Sequence, residues 1–309
     1  MIETPGSVVT VGTFDGVHVG HHAVLEEIAR RGEASGRQSL LVTFEPHPLD
    51  VVNPAAAPPR LTMAAERLEV VATSPIDRML VLHFDRAMAA KSPAEFVEQV
   101  LLEQCNMREL VIGHDHGFGR GRAGDVHTLQ QLGQQRGFPV DVVAPVTIDG
   151  TAVSSTAIRR AVAGGDLGAA ARQLGRRYSV SGTVERGEQR GRGLGFPTIN
   201  LAAPPRKLLP PDGVYAAVVH TRHGRFGGMM NQGHRPTFDD GRRLIEVHLF
   251  GFAGDLYDQW VRVEWVEHLR EIRRFDGVAA LRQQLEDDRL RARATLASAR
   301  VDLDAPLGA

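Results

Sequence analysis

Gly12-Thr13-Phe14-Asp15-Gly16-Val17-His18-Val19-Gly20-His21 is the stretch on which the reading of this chain turns. It follows a short β-branched run at 7–12, Ser-Val-Val-Thr-Val-Gly, with the character of a buried strand closed by glycine. Beyond it, apolar residues fall at Val24, Leu25, Ile28 and Ala29, the stripe of a helix that starts near Gly20 and runs to about Arg31. The stretch is therefore the loop of a strand–loop–helix unit. His18 and His21 lie three apart and share one face of the first helical turn. The free amides and positive dipole end of a helix N-terminus favour a phosphate. Imidazole donors beside it can stabilise charge developing at phosphorus, and Gly20 lets a nucleotide come close to the backbone. Two solvated histidines are the plain alternative in a chain with 13 His. The surrounding glycines and the position after the first strand favour the phosphate site.

The chain up to about residue 175 continues to alternate. Strand-like runs at 39–44, 79–83, 109–113 and 140–146 are interleaved with helical patterns at 62–72, with Thr62 as its cap, and at 125–135. Ser92-Pro93-Ala94-Glu95 is a capping box that opens a helix toward Cys105. Continuous apolar strands separated by helices predict a parallel sheet covered on both faces. After Arg176 the pattern changes. Strand-like runs at 178–184, 198–201, 214–219, 226–231, 244–250 and 260–266 follow one another through Gly- and Pro-rich turns. They predict an antiparallel sheet or small barrel, followed by a helix over 278–300 and a frayed tail over 302–309. The expected fold is α/β, with an N-terminal domain at 1–176 and an antiparallel domain at 177–309.

Composition narrows the function classes. The 309 residues are 42% hydrophobic and 24% charged, an ordinary globular mix. Lys+Arg number 36 against 37 Asp+Glu, so nothing in the global charge attracts nucleic acid or an anionic membrane. No apolar run reaches the ~18 residues that span a bilayer, and the first residues lack a basic secretory start. Cys105 is the single cysteine, which fits a cytoplasmic setting. No Gly-x-x-x-x-Gly-Lys-Ser/Thr occurs, which excludes a P-loop. Zinc is set aside: several histidines are available, including His22, His114 and His116, but there is no His-Glu-x-x-His and the cysteine lies in a helix.

Three further motifs carry chemistry. Val153-Ser154-Ser155-Thr156-Ala157-Ile158-Arg159 follows an Asp149-Gly150 turn and opens a helix. Its hydroxyls can cap that helix, or they can bind phosphate oxygens with Arg159 adding charge one turn later. Gly119-Arg120-Gly121-Arg122-Ala123-Gly124 matches a dinucleotide fingerprint, but it stands too far from the strand end at Gly113 to be one. It reads instead as an Arg-bearing loop over phosphates, or as a simple surface loop. Gly191-Arg192-Gly193-Leu194-Gly195-Phe196-Pro197-Thr198-Ile199-Asn200 is a glycine-rich loop feeding a strand. Alternation puts Thr198 and Asn200 on one face and Ile199 on the other. A hydroxyl and an amide oxygen so placed can hold Mg²⁺ or phosphate oxygens, or simply form a half-buried polar strand.

Together these motifs resemble the His-x-Gly-His nucleotidylyltransferases. More closely, with Phe44-Glu45-Pro46-His47-Pro48 and Gly113-His114-Asp115-His116-Gly117-Phe118-Gly119, nearly the whole chain resembles the bacterial bifunctional riboflavin kinase/FAD synthetase family. The resemblance implies a Rossmann-like FMN adenylyltransferase domain and a riboflavin kinase barrel, with riboflavin, FMN, FAD and ATP as ligands and Mg²⁺ as cofactor. It implies that Gly12, Thr13, Phe14, Asp15, Gly20, Ser155, Thr156, Arg159, Gly191, Gly193 and Gly195 surround ATP, with His18 and His21 catalytic. It puts flavin near Phe44, Pro46, His47, Asp115 and Phe118, and metal on Thr198 and Asn200. Glu246 matches the kinase's general base, although on its own it reads as a solvated strand carboxylate. The sequence departs from the family at His116, where Phe is commoner, and at Ile199, where the kinase motif has Ala. The resemblance leaves a homo-oligomer open.

Three competitors share features with this reading. One is another His-x-Gly-His nucleotidylyltransferase, against which the second domain's Pro-Thr-Ile-Asn counts. A flavin- or nucleotide-sensing protein without turnover is disfavoured because every candidate catalytic residue is present. A tRNA-charging enzyme shares the histidine loop, but this near-neutral chain shows no basic anticodon-reading domain.

Overall fold

The computed structural model describes residues 5–114, 117–118, 124–187, 190–234 and 243–304. Asp115, His116 and the Arg-bearing loop at 119–123 lie outside the described residues, as does the side chain of Phe118. The chain divides into two compact units, Met1–Ala157 and Ile158–Ala309.

In the first unit, β1 (Ser7–Val11), β2 (Gln38–Glu45), β3 (Arg78–His83), β4 (Met107–Gly113) and β7 (Val140–Val143) form a parallel sheet of order β3-β2-β1-β4-β7. Two short antiparallel ribbons complete it: β5 (Gly117–Phe118) with β6 (Gly124–Asp125), and β8 (Thr147–Ile148) with β9 (Thr151–Ala152). Asp149 and Gly150 join β8 to β9, both at positive φ, as a two-residue type I′ hairpin requires. The helices are α1 (Val19–Ser35), α2 (Pro48–Val52), α3 (Ala64–Val71), α4 (Arg86–Ala90), α5 (Pro93–Phe96) and α6 (Val126–Arg136). The central strands β1, β2 and β4 are apolar on both faces because both are covered, while the edge strands β3 and β7 are partly exposed. Val9, Val11, Leu40, Val42, Leu110 and Ile112 pack with Phe96, Val97 and Leu101, whereas Val8, Leu41 and Val111 pack with Val24, Leu25 and Ile28 of α1. Each such side chain removed from water contributes about 1.5–3 kcal/mol.

The expected capping box holds: the Ser92 hydroxyl accepts from the amide of Glu95, and the Glu95 carboxylate accepts from the amide of Ser92. The helix it opens continues as a π-helical segment, Val97–Gln104. Thr62 does not cap α3. Its hydroxyl instead accepts from the amide of Gly16, and Met63 takes the N-cap position with its amide held by Glu66.

The division between units falls after Ala157, inside α7 (Ser155–Ala163), and α8 (Leu167–Leu174) occupies the segment before residue 176. In the second unit, β10 (Ser179–Thr183), β11 (Ile199–Ala202), β12 (Gly213–Thr221), β13 (Gly224–His234), β14 (Arg243–Leu249) and β15 (Trp260–Arg270) form an antiparallel sheet of order β10-β15-β12-β13-β14-β11. A bridge between Glu185 and Asn200 brings the two ends of that order together into a nearly closed barrel. Ahead of β11 lies the short α9 (Arg190–Leu194). The terminal α10 (Val278–Ser298) plugs the barrel with Ala292 and Leu296 among Val214, Ala216, Val218 and Met229. Residues 302–304 are not frayed as expected: Asp302 pairs with Arg225, and Asp304 exchanges hydrogen bonds with the Arg225 backbone.

Candidate active sites

Strand β1 is flanked by β2 on one side and β4 on the other, so the order reverses there. In open α/β sheets that switch point opens a crevice at the carboxyl ends of the strands. The Gly12–His21 stretch stands at that end of β1. Its backbone is tightly coiled, with Phe14, Gly16 and Val17 all at positive φ. Non-glycine residues held there store strain, which collects at functional loops. Phe14 is buried, and a Cβ on Gly12 would lie only 3.0 Å from its ring.

His18 and His21 cap α1 reciprocally. The amide of His21 donates to Nδ1 of His18, and the amide of His18 donates to Nδ1 of His21, both at 3.3 Å. The rings stack with centroids 3.7 Å apart, and Phe14 lies against His21 at 4.6 Å. Because each Nδ1 accepts, a neutral ring carries its proton on Nε2. Gly20 is small for a local reason: a Cβ there would sit 3.2 Å from the His18 ring.

Asp15 is 2% exposed, and its carboxylate accepts from the amides of Leu61 and Thr62. Its carbonyl accepts from the Ser155 hydroxyl at 2.8 Å. The histidine loop and the start of α7, 140 residues apart, are thereby joined. Ser154 caps α7 at the amide of Ala157, as the capping reading of these hydroxyls expects, while the Ser155 hydroxyl is engaged by Asp15. Thr156 is exposed and Arg159 half-buried on the following turn.

On the neighbouring strand end, Phe44 is 6% exposed, and its ring packs on Phe84 and Phe96 in the core. A cis bond leads from Glu45 to Pro46, which is half-buried. His47 is buried and caps α2, accepting from the amide of Leu49. One residue that the sequence did not single out connects these loops: Arg67 of α3, 3% exposed. A lone arginine on a helix carries no sequence signal for that role.

In the second unit the register assembles a second cluster. Asn200 on β11 stands directly opposite Glu246 on β14, and Glu246 is opposite Asn231 on β13. Opposed residues share a sheet face with Cβ atoms about 5 Å apart. Glu246 is half-buried and Asn200 is 5% exposed. The Asn200 Oδ1 is buried with no hydrogen-bond partner among the described residues. Gly187 makes room for it, since a Cβ there would fall 2.4 Å from Asn200 Nδ2. Thr198 precedes β11 and is half-buried. Gly191 lies against the next segment: its carbonyl accepts from the Phe196 amide, and a Cβ there would strike the Phe196 carbonyl at 2.3 Å. Gly195 adopts positive φ after α9, while Gly193 has open space around it.

His248, two residues beyond Glu246 on the same face, also escaped the sequence reading, though strand alternation carried the signal. Its Nδ1 lies 2.8 Å from the Pro197 carbonyl, next to Thr198. Burial lowers its pKa, the Pro197 contact opposes that, and Arg289 and Arg293 add to the lowering. The described residues contain no group of three His, Cys, Asp or Glu placed to hold a metal. An orphaned buried amide oxygen, on Asn200, nevertheless fits a hard cation such as Mg²⁺, which takes oxygen ligands.

A family model described as FAD synthetase matches residues 2–157, and one described as riboflavin kinase matches residues 174–296. The bifunctional riboflavin kinase/FMN adenylyltransferase of Pseudomonas fluorescens is 39% identical over 296 residues, covering 96% of this chain and 94% of that protein. The Escherichia coli K12 protein of the same description is 36% identical over 289 residues, covering 93% and 92%. That of Haemophilus influenzae is 35% identical over 284 residues, covering 92% of each. A crystal structure from Streptococcus pneumoniae, described as a macrolide-efflux protein, superposes with a TM-score of 0.82 at 29% identity and covers 94% of this chain and 95% of that one. Among the described residues here, no helix is long and apolar enough to cross a membrane.

Proposed function

The chain belongs to the family of bifunctional riboflavin kinases/FMN adenylyltransferases and makes FMN from riboflavin and FAD from FMN, and from that premise we propose which residues perform each step. The observation that carries the assignment is that motifs far apart in sequence meet within each unit: Ser155 on the carbonyl of Asp15, and Asn200 opposite Glu246.

In the adenylyl transfer, an FMN phosphate oxygen attacks the α-phosphorus of ATP, the bond to the β-phosphate breaks, and pyrophosphate leaves. The loop from Gly12 to Asp15, with Gly20 at the helix start, holds the triphosphate against the first turn of α1. His18 and His21 direct Nε2–H groups at the charge that develops, since both Nδ1 atoms are occupied by backbone amides. Ser155, Thr156 and Arg159 add donors from α7. No covalent enzyme intermediate is needed, so rate comes from positioning and electrostatics. The flavin lies toward Pro46 and His47, backed by Phe44; Asp115 and Phe118, assigned to flavin by the motif alone, are kept in that role.

In the kinase step, Glu246 accepts the proton of the riboflavin 5′-hydroxyl as that oxygen takes the γ-phosphoryl group. Gly191, Gly193 and Gly195 let the loop approach the phosphates, and Thr198 and Asn200 would hold Mg²⁺. When bound, that ion neutralises phosphate charge as the phosphoryl group moves. We place the functional boundary at residue 176, so that the kinase comprises 177–309. The reactions are read as cytoplasmic, with neither nucleic acid nor a membrane taking part.

The test is to incubate the protein with riboflavin and ATP, with and without Mg²⁺, and separate the flavins. FMN with ADP, then FAD with pyrophosphate, is the expected course, and a chelator should stop riboflavin phosphorylation. Undiminished phosphorylation in excess chelator would remove the metal role of Thr198 and Asn200.

A further inference from the structure

We propose that Arg67 is a positioning residue for adenylyl transfer: its buried guanidinium fixes the nucleotide loop at the end of β1 against the flavin-side turn at the end of β2. The inference rests on the loop assignments made above. Arg67 Nη1 donates to the Thr13 carbonyl at 3.4 Å, and Nη2 donates to the Phe44 carbonyl at 3.0 Å and to Glu45 Oε2 at 2.9 Å. Thr13 and Phe44 lie at the carboxyl ends of adjacent parallel strands, so a single cation gathers backbone oxygens from both. The Thr43 hydroxyl reaches the same Thr13 carbonyl at 3.3 Å.

The segment leading into α3 grips the nucleotide loop a second time. Asp15 accepts from Leu61 and Thr62, and the Thr62 hydroxyl accepts from Gly16. Residues 61–67 therefore form a strut with one end on the Asp15–Gly16 turn and the other on Thr13 and Phe44. Core filling does not explain the arginine. An apolar residue would close α3 onto the sheet without desolvating a guanidinium, a cost that the bonds of Nη1 and Nη2 offset only in part, since Nε is buried with no hydrogen-bond partner among the described residues. What a planar, forked donor adds is a fixed separation between two carbonyls.

That separation matters to the chemistry. In-line attack requires the FMN phosphate and the ATP α-phosphorus to be in register, and an error of about 1 Å costs on the order of 10²-fold. Each substrate can occupy its own loop without the strut; only their mutual geometry depends on it. Loss of Arg67 should therefore lower kcat and spare the binding of either ligand alone.

The test uses the full chain carrying Arg67→Met, Arg67→Lys or, as a core control of comparable destabilisation, Leu129→Ala. The readouts are kcat for FMN to FAD, calorimetric affinity for ATP and for FMN separately, and the riboflavin kinase rate. Arg67→Met should lower adenylyl-transfer kcat by roughly 10–100-fold, with each single-ligand affinity within about threefold and the kinase unchanged. Arg67→Lys keeps the charge but cannot span both carbonyls, and should lose roughly fivefold. Leu129→Ala should keep its kcat. The proposal is overturned by unchanged kcat in either Arg67 variant, by an equal loss in Leu129→Ala, or by a loss seen in affinity rather than kcat. If Arg67→Met is not recovered folded, the lysine variant decides alone. His21→Ala, run in parallel, separates the two levels: intact adenylyl transfer there would remove the underlying site, whatever Arg67 does.

Discussion

Asn200, proposed above as a metal ligand of the kinase, illustrates how a site can depend on one side chain and the space left for it. Its Oδ1 is buried without a hydrogen-bond partner among the described residues, and a Cβ on Gly187 would fall 2.7 Å from it. Gly187→Ala should displace the amide and raise the Mg²⁺ concentration for half-maximal riboflavin phosphorylation by roughly tenfold or more, the scale of losing support around a metal ligand. FMN adenylylation should not change. An unaltered Mg²⁺ requirement would separate Asn200 from the metal. At this scale the sequence was only partly legible. The spacing of His18 and His21 announced a shared face, but not that each ring would cap the other's backbone and so direct Nε2 outward. Phe44 was assigned to flavin from its motif, yet its ring packs among Phe84 and Phe96, a tertiary fact that no local pattern carries. Arg67 was invisible for the same reason.

Among the elements, α1 both bears the histidines and is locked to the sheet by charge. Arg31 pairs with Glu27, Glu109 and Asp141, tying the helix to β4 and β7. Hydrogen bonding from Arg30, ahead of the opposing effect of burial and the further bond from Arg31, brings Glu27 down from 4.5 to about 2. A depressed carboxylate stabilises the folded state above its unfolded pKa. That contribution is therefore full above about pH 4.5 and is lost as pH falls toward 2. Glu27→Gln should lower the urea midpoint at neutral pH, and its gap from the wild type should narrow steadily below pH 4.5. A gap of equal size in both ranges would show that Glu27 acts through packing rather than charge. Elements with strong periodicity, such as α1 and β2, were readable from the sequence. Thr62 was misread because its hydroxyl had a better partner in a loop 46 residues away. The chain end was misread because its acidic residues find Arg225 only once β13 exists.

Across the whole molecule, the change from alternating elements to consecutive strands marked two architectures, and the structure has both: a parallel sheet whose order reverses at β1, and a nearly closed antiparallel barrel plugged by α10. The positions of the crevice and of the Asn200–Glu246 row were not legible, because strand order and register depend on long-range pairing rather than on periodicity. If the assignments hold, the two reactions run at two separate sets of residues. The most direct measurement is flavin-product analysis on the full-length variants His21→Ala and Glu246→Gln, each assayed for riboflavin to FMN and for FMN to FAD. Glu246→Gln should slow the first reaction by about 10²–10⁴-fold and leave the second within a few-fold. His21→Ala should slow the second by roughly 10²-fold or more and leave the first intact. A variant that slows both reactions by the same factor would contradict two separate sites.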